Sequence, residues 1–482
     1  MTSLALHPAC SSVAESINQA DFRGRRIHMV GVGGSGMSGL AGVLLRGGAR
    51  VSGSDARMSI TLARLADEGV RVFVQGDGHG LPADAEMVVA SAAIPADHPE
   101  LRAADERGIR VLRYAEMLGV VMKFKRGVAI SGTHGKSTTT AWLSFVLRET
   151  GLDPSFVVGA AVEQLGGSSG VGGGEHFVVE ACEFNRSFLN MNPTFAAVLN
   201  VEADHLDYYQ DLDEIVGAFH DFLNSIRPDG LAVVNGDDPA ARRALNGRES
   251  GIETFGLSAG NTWQAEDLAL SGGCYAFNVL RQGQMLGRVA LKIAGRHNVM
   301  NALAVIALAS RLGVPWGPLS RALGEFRGAR RRLEQRGVVR GVRVVDDYAH
   351  HPSEIRATLA AARERYTPQR VWAVFEPHQY SRTRRLADDF ATAFEAADCV
   401  LLPDIYAARD TAEDRAAINS GQLATRIRAA GTQAVHIADH AGIIEYLAKH
   451  ARSGDLVLTM GAGGIGKVAD ELVQRLGGDL SA

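Results

Sequence analysis

Gly132-Thr133-His134-Gly135-Lys136-Ser137 is the stretch on which the fold turns. The apolar run Val128-Ala129-Ile130 before it reads as a buried strand. Thr138 to Glu149 after it reads as a helix with Trp142, Leu143, Val146 and Leu147 on one face, stopped by Gly151. Between strand and helix the chain must turn sharply, and Gly132 and Gly135 let backbone N–H groups approach an anion with no Cβ in the way. Lys136 adds a cation. The Ser137 hydroxyl takes the position of the Mg²⁺ ligand in loops that hold a nucleoside triphosphate. The full pattern asks for glycine where Ile130 stands, so this is a shortened phosphate loop.

A chain of 482 residues is too long for one hydrophobic core and implies about three domains. Hydrophobic and charged fractions of 46% and 22% are those of a globular protein, and a net charge of -4 leaves no electrostatic footprint for nucleic acid or an anionic membrane. Cys10, Cys182, Cys274 and Cys399 lie far apart, with no metal-finger spacing, and read as reduced thiols. Residues 1–20 lack the pattern of a secretory signal, and no stretch reaches membrane-spanning length, so a cytoplasmic protein is expected.

Upstream of the phosphate loop, the strand Arg26 to Val30 runs into Gly31-Val32-Gly33-Gly34-Ser35-Gly36, a GxGxxG pattern, and a helix follows from Met37 to Leu45. A second strand, Ala49 to Gly53, ends near Asp55, at the spacing of a ribose-binding acid. Strands at Val70 to Val74, Met87 to Ala90 and Ile109 to Leu112, with helices between them, complete a Rossmann-like unit. Its glycines suit a pyrophosphate whatever is attached, so an NAD-type and a UDP-linked ligand both remain open.

Downstream, Gly166 to Gly174 reads as a flexible loop. The strand Phe177 to Val179 ends in Glu180, which alone reads better as an exposed acid, but beside a phosphate loop is placed to hold Mg²⁺. Ala196 to Leu199 leads into Asn200-Val201-Glu202-Ala203-Asp204-His205, where His205 is either a metal ligand or an inert loop histidine. Asn298 and Asn301, three apart at a helix start, can both turn to one ligand. Arg330-Arg331-Arg332 marks a crossing into a third unit, whose first strand delivers Asp346-Asp347-Tyr348-Ala349-His350-His351-Pro352. Arg382 and Arg385 follow a later strand, and their planar forks suit carboxylate or phosphate.

The segments GVGGSGMSGLA, SGTHGKSTTT, NVEADHLD, GRHNVMNA, VVDDYAHHPSE and PHQYSRTR occur in order over almost the whole chain. Together they resemble the Mur ligases of peptidoglycan synthesis, most nearly the branch that attaches L-alanine to the lactyl carboxylate of UDP-N-acetylmuramate. The resemblance implies an α/β protein of three domains. These are a Rossmann-like UDP-sugar domain over 22–124, a central P-loop ATPase domain over 125–328, and a C-terminal Rossmann-like amino-acid domain over 329–482. It implies ATP and Mg²⁺ as cofactors, neither nucleic acid nor membrane as partner, and a monomer or weak homodimer.

By the same resemblance, Gly132, Thr133, His134, Gly135, Lys136, Ser137, Thr138, Asn298, Asn301, Arg332 and Asp347 bind ATP, and Ser137, Glu180 and His205 hold the metal. Gly31, Gly33, Gly34, Ser35, Gly36, Met37, Asp55 and Ser91 bind the UDP-sugar; His351, Arg382 and Arg385 bind the amino acid. Lys136, His205, Glu180, Arg332 and His351 form the catalytic set. Departures from the family pattern fall at Ser137, at Cys182 to Arg186, at Leu333 and at Gln379. The alternatives are a recycling ligase that adds a preformed tripeptide, an NAD-dependent oxidoreductase, and a non-catalytic nucleotide switch.

Overall fold

Alternating strand and helix signals resolve into three sheets in the computed structural model, which describes residues 22–75, 80–248, 250–408 and 410–478. Cys10 and the polar lead lie outside the described residues. The first sheet is parallel, in the order β3-β2-β1-β4-β5, with β1 Arg26–Val30, β2 Arg50–Asp55, β3 Arg71–Val74, β4 Met87–Ala90 and β5 Arg110–Arg113. Strand order reverses at β1. The glycine loop that follows it, leading into α1 (Ser35–Arg46), therefore opens at the crevice where doubly wound sheets bind ligands.

The central sheet has ten strands: β6 Arg126–Ser131, β7 Ser155–Val162, β8 Gly167–Gly170, β9 His176–Glu180, β10 Phe195–Val198, β11 Leu231–Asn235, β12 Ile252–Gly256, β13 Trp263–Ser271, β14 Cys274–Arg281 and β15 Gln284–Ala294. Their order is β15-β14-β13-β12-β11-β10-β6-β9-β7-β8, with β13 to β15 antiparallel. Strand β6 lies between β9 and β10, and its register pairs Ile130 with Glu180 and Ser131 with Val198. All three strand ends thus reach the same edge. The phosphate loop springs from that edge into α2 (Lys136–Glu149), which α3 (His297–Arg311) helps to cover. Trp142 of α2 stacks on Phe326 at 5.2 Å and donates its indole N–H to the Leu323 carbonyl at 3.1 Å, so a large apolar ring is buried without an orphan donor.

The third sheet runs β16-β17-β21-β18-β19-β20, with β16 Glu334–Val339, β17 Val342–Asp347, β18 Arg370–Phe375, β19 Cys399–Leu402, β20 Gln433–His436 and β21 Asp455–Met460. The expected α/β architecture is therefore observed. Among the described residues no helix is long and apolar enough to cross a membrane, and Cys182, Cys274 and Cys399 are free thiols.

Two expectations fail. The stretch Gly166 to Gly174 is not simply a loop, since Gly167–Gly170 forms β8, antiparallel to β7 with Val157 opposite Ser169. Its small residues answer to close packing: a Cβ on Gly170 would stand 2.4 Å from the Phe156 ring, and one on Gly39 of α1 would stand 2.5 Å from the Ser169 Cβ. No helix appears in the described residues between β3 and β4, where Pro82 and Asp84 favour turns.

Gly39→Val should therefore push the first domain off β8. The expected loss is about 1–3 kcal/mol of stability, the usual cost of overpacking, read as a lower denaturation midpoint.

Candidate active site

Gly132 and Gly135 hold φ of 139° and 84°, conformations that glycine adopts without strain. The loop between them is stitched to the end of β10. The His134 N–H donates to Asn200 Oδ1 at 2.7 Å, and Asn200 Nδ2 donates back to the His134 carbonyl at 3.1 Å. Lys136 Nζ donates to the carbonyls of Gly132 at 2.5 Å and Thr133 at 3.1 Å, and lies 2.9 Å from Glu183 Oε2. Burial works against its charge, but the Glu183 carboxylate outweighs burial and holds the Lys136 pKa above its ordinary value.

Ser137 and Glu180 converge: Ser137 Oγ and both Glu180 carboxylate oxygens lie within 3.3 Å of the point a Cβ on Gly159 would occupy. A hydroxyl and a carboxylate are hard oxygen donors of the kind Mg²⁺ takes. His205 sits across Glu183, with Nε2 3.7 Å from that carboxylate and Nδ1 buried without a hydrogen-bond partner. Its backbone is left-handed, at φ 52°, a strained conformation for histidine that the packing around it must hold.

The third sheet closes the other side. Between it and the phosphate loop lies a cavity of about 840 Å³, lined by His134, Thr138, Asn298, Asn301, Arg332 and Asp347 among others. Asn298 and Asn301 act as one unit, since Asn301 Nδ2 donates to Asn298 Oδ1 at 3.0 Å and Asn298 Nδ2 donates to the Ala294 carbonyl at 2.6 Å. Asp347 accepts from Leu333 N at 2.7 Å and Ala349 N at 2.8 Å; burial raises its pKa to about 6 against the pull of Arg332.

Arg382, on α5 (Tyr380–Arg385), donates from Nη2 to Asp204 Oδ1 at 2.9 Å. Burial alone would raise Asp204, yet the guanidinium carries it far below the usual carboxylate range. His351 caps α4 (Pro352–Tyr366) and reaches the Ala203 carbonyl from Nε2 at 3.3 Å.

The glycine loop of the first domain is braced from within. Asp55 Oδ2 accepts from Gly33 N at 2.8 Å and Oδ1 from Ala56 N at 2.8 Å, so this acid shapes the loop directly. Gly31 packs on Ser91, Gly34 precedes α1, Gly36 lies against the Tyr114 hydroxyl, and Met37 is buried. The side chain of Ser35 lies outside the described residues.

Most of the expected residues thus meet at two crevices, but Arg385 does not. It is exposed on α5, and its charge acts on Asp414. Residues three apart share a helix face, so the two arginines are separated by the acids they meet, Asp204 for Arg382 and Asp414 for Arg385. Sequence reasoning also passed over Glu183 and Glu354. Glu354 Oε1 is 3.2 Å from His134 Nδ1, and its other oxygen accepts from His350 N at 3.0 Å. Its place three residues after the helix-capping His351 is a capping-box signal that the sequence carried.

Three family models match successive parts of the chain: the Mur ligase family catalytic domain over 26–126, the Mur ligase middle domain over 130–309, and the Mur ligase glutamate ligase domain over 331–463. A UDP-N-acetylmuramate-L-alanine ligase of Caldanaerobacter subterraneus is 42% identical over 453 residues, covering 94% of this chain and 98% of the relative. The solved UDP-N-acetylmuramate-alanine ligase of Thermotoga maritima is 27% identical, with a TM-score of 0.78 over 94% of this chain and 99% of that one. A murein peptide ligase of Psychrobacter arcticus is 26% identical, with a TM-score of 0.69 over the same shares.

The Asp204 pair is open to a direct measurement. Arg382→Ala should cost about 3–5 kcal/mol near neutral pH, because it strands a buried carboxylate. The depressed Asp204 pKa makes this stabilisation fully present above the unfolded value of 3.8 and lost as pH falls below it. Denaturation of both proteins across pH should show the gap between them closing on the acid side.

Proposed function

The chain belongs to the Mur ligase family, and from that premise we propose that it joins L-alanine to the lactyl carboxylate of UDP-N-acetylmuramate, converting ATP to ADP and phosphate. The observation that carries the reading is the phosphate loop facing a cleft between two domains, in a chain 42% identical over 94% of its length to an L-alanine ligase. In this reading the first domain binds the UDP-sugar, the central domain ATP, and the C-terminal domain the amino acid. The reaction is placed in the cytoplasm, with the protein acting as a monomer or weak homodimer. The glycine pattern at Gly31 to Gly36 then serves the UDP pyrophosphate, and the dehydrogenase reading falls away.

A carboxylate is a poor acylating agent, so the lactyl oxygen first attacks the γ-phosphorus of ATP and ADP departs, leaving an acyl phosphate. Lys136 and the loop N–H groups hold the phosphates in line and offset charge on the transferring group. Asn298, Asn301, Arg332 and Asp347 orient the nucleotide from the walls of the cleft. Ser137 and Glu180 would hold Mg²⁺, with His205 beside them, and the bound ion would neutralise phosphate charge.

The neutral amine of alanine then attacks the acyl carbon. The tetrahedral oxyanion, stabilised by the same cations, loses the amine proton to solvent and collapses to the amide as phosphate leaves. Arg382, oriented by Asp204, and His351 stand where the amino acid enters. Closure of the third domain over the cleft keeps water from the acyl phosphate.

The purified protein with ATP, Mg²⁺, UDP-N-acetylmuramate and L-alanine should release phosphate and yield a product heavier by one alanyl residue, read by mass. Turnover only with a preformed tripeptide would assign it to peptide recycling, the activity named for the Psychrobacter relative. Lys136→Ala should lower the rate by about 10²–10³-fold or more, as removal of one transition-state donor does. The fold and UDP-sugar binding should survive, and normal turnover in that variant would refute the assignment of Lys136.

A further inference from the structure

His134, Glu202 and His351 form a cluster that the proposed reaction leaves partly unused. Their donor atoms lie within 4.8 Å of one another. His134 Nε2 is 3.6 Å from Glu202 Oε2, and His351 Nδ1, which now accepts the Ser353 N–H at 3.4 Å and would exchange that capping bond for the ion, is 3.8 Å from the same oxygen. Ligands about 2.1 Å from a tetrahedral zinc ion stand roughly 3.4 Å apart, so small side-chain movements would bring these atoms into range. His134 Nε2 is buried and makes no hydrogen bond.

The opposite nitrogens are already occupied. His134 Nδ1 faces Glu354 at 3.2 Å, and His351 Nε2 meets the Ala203 carbonyl at 3.3 Å. Metal-bound histidines are held in this manner, with one nitrogen on the ion and the other on a carboxylate or carbonyl that fixes ring and tautomer. Glu202 is anchored in turn: its N–H donates to Thr133 Oγ1 at 2.8 Å, and its carboxylate accepts from the Ser353 hydroxyl. Its side chain keeps 37% of its exposure, which leaves a path of entry.

We propose that His134, Glu202 and His351 form a three-ligand site for a zinc-type divalent cation, bridging the central and C-terminal domains and distinct from the Ser137 and Glu180 position. Two imidazoles and one carboxylate suit zinc or cobalt, whereas Mg²⁺ prefers oxygen. Binding requires His134 Nε2 as a neutral donor, so a proton carried there leaves to solvent as the ion enters. Because His134 belongs to the phosphate loop and His351 to α4, the bound ion staples the cleft.

The test uses the full chain, stripped with chelator and free of nucleotide, titrated with Co²⁺ under visible absorption and with Zn²⁺ by calorimetry. One equivalent of Co²⁺ should give the intense bands of a low-symmetry site, displaced by Zn²⁺ and insensitive to excess Mg²⁺. His134→Gln and Glu202→Gln should each abolish the bands, and Glu354→Gln should weaken binding by roughly 10–100-fold, as loss of an outer-shell partner does. Ser137→Ala should leave the bands unchanged. Circular dichroism checks that each variant is folded, and the two ligand variants are independent of each other. Absence of a Co²⁺ band in the wild-type protein would overturn the site, as would bands that persist in folded His134→Gln or vanish in Ser137→Ala. None of these readouts depends on ligase turnover, so the site and the proposed reaction can fail separately.

Discussion

Backbone crowding at Gly132 is the constraint on which the rest of the site depends. A Cβ there would stand 3.0 Å from the Leu199 Cβ and 3.1 Å from the backbone nitrogens of Leu199 and Asn200. Only glycine lets the loop lie directly on the exit of β10. That contact allows Asn200 to bind both sides of the His134 peptide, and it sets where α2 begins. With β9 on the other flank, the same edge receives Glu180 and Glu183. The acids that oppose Lys136 and converge on Ser137 are therefore delivered by sheet register, with no long loop to position them.

The C-terminal domain meets this edge through buried opposite charges. Arg382 with Asp204 and Glu354 with His134 each join a group of the third domain to one of the central domain. Burying such charges costs desolvation that their attraction offsets only when geometry is good, so their value lies more in placement than in stability. The covalent crossing is also held. Arg331 and Leu333 have φ of 58° and 50°, and Arg331 is fastened to Asp346 and to the Gly461 carbonyl. Leu333 N is fastened to Asp347. Arg332, between two left-handed residues, lines the cleft.

Much of this was legible in the chain. The strand, glycine loop and helix around Lys136 follow from local signals that tertiary packing did not override. The stretch at Gly166 to Gly174 misled because Gly and Ser are the vocabulary of loops, whereas here small residues were required by the approach of α1 to β8. Glu183 gave no periodic signal, since it lies past the end of β9 and its role depends on Lys136, 47 residues away. Arg385 shows the converse: a suitable guanidinium three residues from Arg382 stands exposed and acts on Asp414, because residue type alone does not select the acid it meets. Asp55 has the spacing of a ribose-binding acid, and in the structure its carboxylate is engaged by the glycine loop itself.

The burial of the Arg382 and Asp204 pair has a further consequence for ionic strength. Side-chain exposures of 9% and 7% keep mobile ions away from the pair. Exposed pairs such as Arg426 with Asp388 face solvent and are screened over about 8 Å at physiological salt. Electrolyte therefore weakens the charge pairs of the outer surface and leaves this join between the central and third domains little changed.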